Sequence, residues 1–136
     1  MVKLKIYKLA SIALTLGIMG ACKPAPATLT GEIKDYRGGM TECMIKTDTD
    51  VIEDSLQMNA DGTFSYTRDF PEGAEIWLTS EDAQGFVRLY LKNGDKQHII
   101  LTASADSIYG RCDVIFSGDT KSSEYLWAFD HEFGSL

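Results

Sequence analysis

Short runs of alternating apolar and polar residues recur along the chain between positions 29 and 118. The run FVRLYL, for example, places a valine and two leucines on one side, which is the two-residue period of a half-buried strand. Turn residues separate the runs, and Asn93-Gly94 in particular is typical of a two-residue hairpin loop. Eight such segments at spacings of about 8–12 residues predict a mainly β domain, an antiparallel sandwich or open barrel of about 7–8 short strands. No strand–helix alternation occurs, which argues against parallel strands.

From residue 119 the period changes to that of an α-helix. Tyr125, Phe129 and Phe133 recur at i, i+4 and i+8, with Leu126 beside them, so that the segment carries one apolar stripe. We predict an amphipathic helix over residues 119–136. Its stripe needs a surface to pack against, either the sheet or a further structure beyond it.

The first 21 residues have the pattern of a secretory signal. Three lysines precede Leu9–Met19, a run of eleven residues without charge. As a helix this run spans roughly 16 Å, about half of a bilayer's hydrocarbon core. A charged start, a short apolar middle and small residues before a break predict a helical signal peptide over residues 1–21, which is cleaved from the mature chain.

The residues that end this segment, Met19-Gly20-Ala21-Cys22, resemble a bacterial lipobox. The resemblance implies that Cys22 carries a covalent lipid and that the protein is anchored to a membrane through its acyl chains; an ordinary secretory signal is the alternative. Stable anchoring takes about two chains, so a lipidated cysteine would replace a spanning helix. The prolines that follow favour an extended backbone, and we expect a Pro/Ala tether over residues 22–28.

Removal of residues 1–21 makes the chain more acidic. Lysine plus arginine falls from 13 to 10 while aspartate plus glutamate stays at 20, which leaves 115 residues with a net charge of −10. This charge argues against nucleic acid or anionic lipid headgroups as partners of the folded part. The length suits one small domain, over residues 29–118, followed by the helix.

Two cysteines remain beyond Cys22, and they do not form a C-x-x-C motif. In an oxidising compartment Cys43 and Cys112 are candidates for a disulfide. The alternative, which we favour, is two buried free thiols that pack as small hydrophobic side chains.

Catalytic and ligand-binding motifs are scarce. The sequence contains no G-x-S-x-G, Walker loop or G-x-G-x-x-G, so we expect this chain not to be an enzyme. The acidic clusters lack the spacing of a calcium loop, and we expect neither a metal nor another cofactor. Aromatic residues could form a platform for sugar rings, with Trp77 and Tyr90 as the main candidates.

Three segments in this order carry a family resemblance: LTGEIKD, SLQMNADGTFSYTRDF and FSGDTKSSEYLWAF. They resemble the N-terminal domain of unknown function in Bacteroidetes envelope lipoproteins of the thioredoxin-like, TlpA/ResA-related group. The shared features are Gly31 in the opening strand, Asp61-Gly62 before an aromatic strand, and Gly118-Asp119 at the entrance to the helix. The resemblance covers roughly residues 28–133, and the thioredoxin half with its W-C-x-x-C motif is absent.

Two functions follow as expectations. The resemblance implies a non-catalytic accessory domain that anchors and orients a thioredoxin-like thiol–disulfide oxidoreductase in the cell envelope, at the periplasmic side of the outer membrane. Its partner would be a C-terminal thioredoxin-like domain or a second copy of the chain, reached through the helix. The alternative is a free-standing envelope sandwich that binds glycan or a protein.

Overall fold

The computed structural model describes residues 24–104 and 112–133, with only the backbone of Phe133. These residues form eight strands and one helix in chain order. They are β1 (Ala27–Ile33), β2 (Thr41–Lys46), β3 (Val51–Asp54), β4 (Thr63–Arg68), β5 (Ala74–Ser80), β6 (Gly85–Leu91), β7 (Lys96–Ala103), β8 (Cys112–Gly118) and α1 (Lys121–Phe133). The prediction of a mainly β domain with one C-terminal helix is confirmed.

The strands form two four-stranded sheets. Sheet A has the order β4-β1-β7-β8 and sheet B the order β3-β2-β5-β6. In most strands every second residue of the central part is buried, and the buried residues of both sheets form one hydrophobic core. The edge strands β3 and β8 differ, because β3 has no buried residue and β8 buries only Cys112. The alternation of apolar and polar residues therefore reflects the two faces of each sheet, one towards the core and one towards solvent. The largest fully buried side chains are Leu29, Ile33, Ile45, Ile76, Leu78, Leu89, Leu91, Ile99 and Leu101.

Two details differ from the sequence-based expectation. Strand β1 pairs with β7 in parallel, with Thr30 opposite His98, so sheet A is mixed and not purely antiparallel. In addition, the Asn93-Gly94 turn does not close a hairpin within one sheet, since it connects β6 of sheet B to β7 of sheet A. Turn chemistry fixes the local reversal of the chain, whereas the sheet that the next strand joins depends on long-range pairing.

The segment that can act as a tether is shorter than the predicted residues 22–28. Strand β1 already begins at Ala27, which is buried, so the last two of residues 22–28 belong to sheet A. The chain is held to the domain even before the strand, because the carbonyl of Ala25 accepts a hydrogen bond from the N–H of Gly94 at 2.6 Å. Only residues before Ala25 are left to act as a spacer.

One glycine of β1 is required by close packing. A Cβ atom at Gly31 would overlap the ring of Phe64 on β4 and lie 2.8 Å from the carbonyl oxygen of Ile99 on β7. The absence of a side chain thus lets a core aromatic cover the centre of sheet A.

The two open sides between the sheets are closed differently. On one side α1 lies against β6, the edge strand of sheet B, and its Trp127 meets Phe116 of β8 edge-on, with ring centroids 6.5 Å apart. On the other side Asp54 at the end of β3 accepts hydrogen bonds from Tyr66 and Arg68 of β4. In residues 24–104 and 112–133 no helix is both long and apolar enough to cross a bilayer.

Candidate functional site

Helix α1 is attached to the sandwich through a buried polar contact. Ser123 is fully buried and its Oγ accepts the backbone N–H of Tyr90 at 3.0 Å. The Ser123 hydroxyl donates to Oε1 of Gln97 at 2.8 Å, and Nε2 of Gln97 donates to the carbonyl of Tyr90 at 2.7 Å. Both backbone groups of the edge residue Tyr90 are therefore satisfied by side chains, and the helix lies along this part of the β6 edge.

An ion pair fixes the second half of the helix. Nε and one terminal nitrogen of Arg88 donate to the two carboxylate oxygens of Asp130 at 3.0 and 2.5 Å, and Arg88 also contacts Glu75 at 3.3 Å. The hydrogen bonds to Asp130 are the main cause of the raised pKa of Arg88. A bidentate arginine–carboxylate pair sets orientation as well as distance, so the register of the helix along β6 is defined.

The predicted apolar stripe is not the side that packs on the sandwich. Tyr125 is 71% exposed and Phe129 is 46% exposed, while Leu126 is half-buried. The side chain of Phe133, the fourth member, lies outside the described part. The docked side carries Ser123, Trp127 and Asp130 instead, so the helix turns its polar anchors and one ring inwards and leaves Tyr125 and Phe129 outside.

A groove runs between the helix and the outer face of sheet B. It has a volume of about 490 Å³ and is lined by Tyr90, Lys121, Ser122, Tyr125 and Leu126. Gly73 makes room for Tyr90, one of the lining residues, because a Cβ at position 73 would overlap the Tyr90 hydroxyl, and a positive φ of 79° also favours glycine. Apolar rings with a few polar groups at the rim are typical of a binding surface.

Trp77 and Tyr90, the two candidates for a sugar platform, lie on the same outer face of sheet B. They do not form a joint flat surface, because Arg88 is the direct cross-strand partner of Trp77 and Glu75 that of Tyr90. The Trp77 ring stacks on Phe86 at 5.3 Å, its Nε1 donates to Glu75 at 2.7 Å, and the Arg88 guanidinium lies 5.8 Å from its centroid. Phe86 and Arg88 thus occupy much of the surface of the Trp77 ring.

The strand aromatics and the helix stripe meet in one surface, because Tyr90 lines the groove together with Tyr125 and Leu126, and Arg88 next to Trp77 binds Asp130 of the helix. We call it the aromatic face. Its members are Trp77, Phe86, Tyr90, Tyr125, Leu126 and Phe129.

The two cysteines are free and buried, one in each sheet. The disulfide considered for Cys43 and Cys112 is absent, and the alternative of two packed thiols is the one observed. Burial is the main cause that raises the pKa of Cys43 to about 11 and that of Cys112 to about 12. Such thiols are poor nucleophiles, because the thiolate is the reactive form.

The remaining candidate chemistry is sparse in the described ranges. No group of three or more histidine, cysteine or acidic side chains there could hold a metal ion. Asp54 and Asp130, from two of the acidic clusters, are bonded to arginines. Cys22 and the signal segment lie outside the described residues, so lipidation stays a prediction.

Sequence reasoning missed the residues that orient the aromatic face. Ser123 and Gln97 are polar and give no periodic signal, although both are buried. Arg88 and Asp130 are 42 residues apart, and nothing local in either segment marks them as partners.

Comparison with known proteins adds no relative: no family model matches the chain, and neither does any curated protein or solved structure at a significant level.

Proposed function

We propose that this chain is a non-catalytic envelope module, anchored through a lipid on Cys22, that holds a thioredoxin-like domain or protein against its aromatic face. The identity of the partner comes from the family resemblance, and the location of the contact comes from the geometry. The chain itself supplies packing and orientation, with no redox step assigned to any of its residues.

One observation carries the proposal. The helix is fixed to the sandwich by Ser123 and by the Arg88–Asp130 pair, yet it leaves Tyr125 and Phe129 exposed beside an apolar groove. Rigid aromatic side chains next to an arginine are the composition of interface hot spots. Trp127 of the helix packs inwards, whereas Tyr125 and Phe129 stay exposed. A helix that served only to close the sandwich would turn these two rings inwards as well.

A glycan-binding function is less well supported by the same surface. Stacking on a sugar needs a free ring face, and Trp77 directs its ring onto Phe86 and beneath Arg88. Loss of saccharide binding in Trp77→Ala would be the signature of this alternative.

The intact mass of the protein from the membranes of its source tests the proposal. A mass well above the 15.0 kDa of this chain, with W-C-x-x-C in the additional sequence, is the expected result. A second accepted result is a lipidated chain of residues 22–136 that photo-crosslinks from position 125 to a separate W-C-x-x-C protein. The matched control is a crosslinker at Ile115, an exposed apolar residue on sheet A. A lipidated chain with no such adduct, or equal adducts from both positions, would overturn the proposal.

A further inference from the structure

The chain enters the sandwich at one defined end. Strand β1 starts there with Ala27, and the Ala25 carbonyl is bonded to Gly94 in the turn between β6 and β7. A second hydrogen bond joins the start of β1 to the same turn, since the N–H of Thr28 donates to the carbonyl of Asp95 at 2.9 Å. The register of the sheets places three turns at this end, residues 47–50, 69–73 and 92–95. We call it the entry end.

The entry end is rigid as well as near the amino terminus. Asn93 of the β6–β7 turn accepts the N–H of Phe70 on its Oδ1 at 2.7 Å and donates from Nδ2 to Asp69 at 2.6 Å. Lys96 and Asp119 exchange two hydrogen bonds that tie the start of the helix to the start of β7. The hydrogen bond to Ala25 therefore holds the chain against a fixed surface.

The distance between this surface and Cys22 is short. Two residues separate Cys22 from Ala25, and the three residue-to-residue steps between them span at most about 11 Å when fully extended. The sandwich is longer than that, since the seven residues of β1 extend over roughly 20 Å. A lipid on Cys22 therefore leaves too little chain for the domain to turn its far end towards the bilayer.

We propose that the entry end is the surface that faces the lipid bilayer, an inference that rests on the lipid anchor of the proposed function. Helix α1 starts at this end, where Ser123 meets Tyr90, and runs along β6 to Asp130 beside Arg88. Because β6 itself ends at the entry end, the helix leads away from the membrane. The aromatic face then stands at the side of the domain, with Phe129 further from the bilayer than Tyr125, and a bound partner lies beside the sandwich.

Charge does not bring the entry end to the membrane. Its three turns contain five acidic residues and a single lysine, and the exposed Lys46, Lys96 and Lys121 at the adjoining strand and helix ends largely offset the acidic charge. The contact is therefore imposed by the short tether.

The test uses the full lipidated protein on phosphatidylcholine vesicles that contain a nitroxide-headgroup lipid. One fluorophore is attached at Lys92→Cys in the entry end, and in a second protein at Arg37→Cys in the loop after β1, at the opposite end. Both positions are exposed basic residues without a bonded side-chain partner among the described residues, and Cys43 and Cys112 are buried, so labelling is selective. A variant with about 15 flexible residues inserted after Lys23 serves as the length control.

We expect the label at position 92 to be quenched several-fold more than the label at position 37, and the insertion to remove most of the difference. Equal quenching at both positions, stronger quenching at position 37, or no quenching of a vesicle-bound protein would overturn the orientation. A protein that carries no lipid and does not bind vesicles would instead overturn the anchor, and with it that part of the proposed function.

Discussion

The hydroxyl of Ser123 in helix α1 accepts a hydrogen bond from the backbone N–H of Tyr90 in strand β6 at 3.0 Å, and Ser123 is fully buried. A serine in the first turn of a helix normally faces solvent or bonds to nearby backbone of its own segment. Here it replaces the strand that would otherwise pair with β6, and Gln97 completes the arrangement from β7. A single buried hydroxyl thereby connects the helix to both sheets.

We expect Ser123→Ala to lower the free energy of unfolding by roughly 1–3 kcal/mol, because it leaves the Tyr90 N–H and Oε1 of Gln97 without their partner. Urea unfolding of purified protein measures this change. Ser122→Ala is the matched control, since Ser122 is exposed and the same substitution there should change stability by less than about 0.5 kcal/mol. Equal effects at the two positions would contradict the assigned role of Ser123.

The aromatic residues of the helix differ in what they contribute to stability. Trp127 packs edge-on against Phe116 and stacks on His131 at 4.5 Å. We expect Trp127→Ala to cost about 2–4 kcal/mol and Tyr125→Ala less than about 0.5 kcal/mol, because Tyr125 is largely exposed. Thermal or urea unfolding compares the two variants.

A further variant distinguishes the contribution of the Trp127 ring to stability from that of its N–H group. Nε1 of Trp127 is buried without a hydrogen-bond partner among the described atoms. Trp127→Phe keeps most of the ring contact and removes this unpaired donor, so it should be much milder than Trp127→Ala. If the phenylalanine variant were as unstable as the alanine variant, Nε1 would have a bonded partner after all.

Much of the fold is predictable from local pattern, because burial alternates strictly in most strands. Strand β6 illustrates this, with Val87, Leu89 and Leu91 buried and the residues between them partly exposed. The parallel pairing of β1 with β7 is different. It joins residues about 68 positions apart, and the alternation within each strand is the same for either direction of pairing.

The helix shows why the aromatic face was only half predictable. Its period correctly marks Tyr125 and Phe129 as one stripe, but hydrophobicity alone favours packing of that stripe on the sheet. The polar contacts of Ser123 and Asp130 decide the opposite orientation. Those contacts depend on residues in β6 and β7 that only the folded chain brings near.

The buried thiols give a prediction about reactivity. With pKa values of about 11 for Cys43 and about 12 for Cys112, roughly one thiol in a thousand or fewer is ionised at pH 8. We expect both to react with a disulfide reagent only after unfolding, in a Cys22→Ser protein that carries no other cysteine. Two thiols released by denaturant without a reductant are the expected count. Fewer than two would indicate that the cysteines pair.

The contact that closes the side opposite the helix depends on one carboxylate. Asp54 accepts the hydroxyl of Tyr66 at 2.6 Å and a nitrogen of Arg68 at 2.5 Å, and thereby joins β3 of sheet B to β4 of sheet A. The hydrogen bond from Tyr66 is the first cause that lowers the pKa of Asp54. A carboxyl group with a lower pKa in the folded than in the unfolded state binds fewer protons when folded. Its stabilising effect is therefore present above about pH 4, the unfolded value, and disappears as the pH falls through the folded value.

We expect Asp54→Asn to lower the free energy of unfolding at pH 7 by roughly 1–3 kcal/mol, since the amide keeps the shape but loses the charge that Arg68 and Tyr66 bind. The difference from the unchanged protein should narrow steadily as the pH is lowered from 5 towards 2, because the native carboxylate is itself protonated there. Urea titrations at several pH values measure both quantities. Glu53→Gln is the control, because Glu53 is the exposed neighbour of Asp54 on the same strand, and its effect should be small at every pH. A constant deficit of the Asp54→Asn protein down to pH 2 would mean that the charge of Asp54 does not hold the two sheets together.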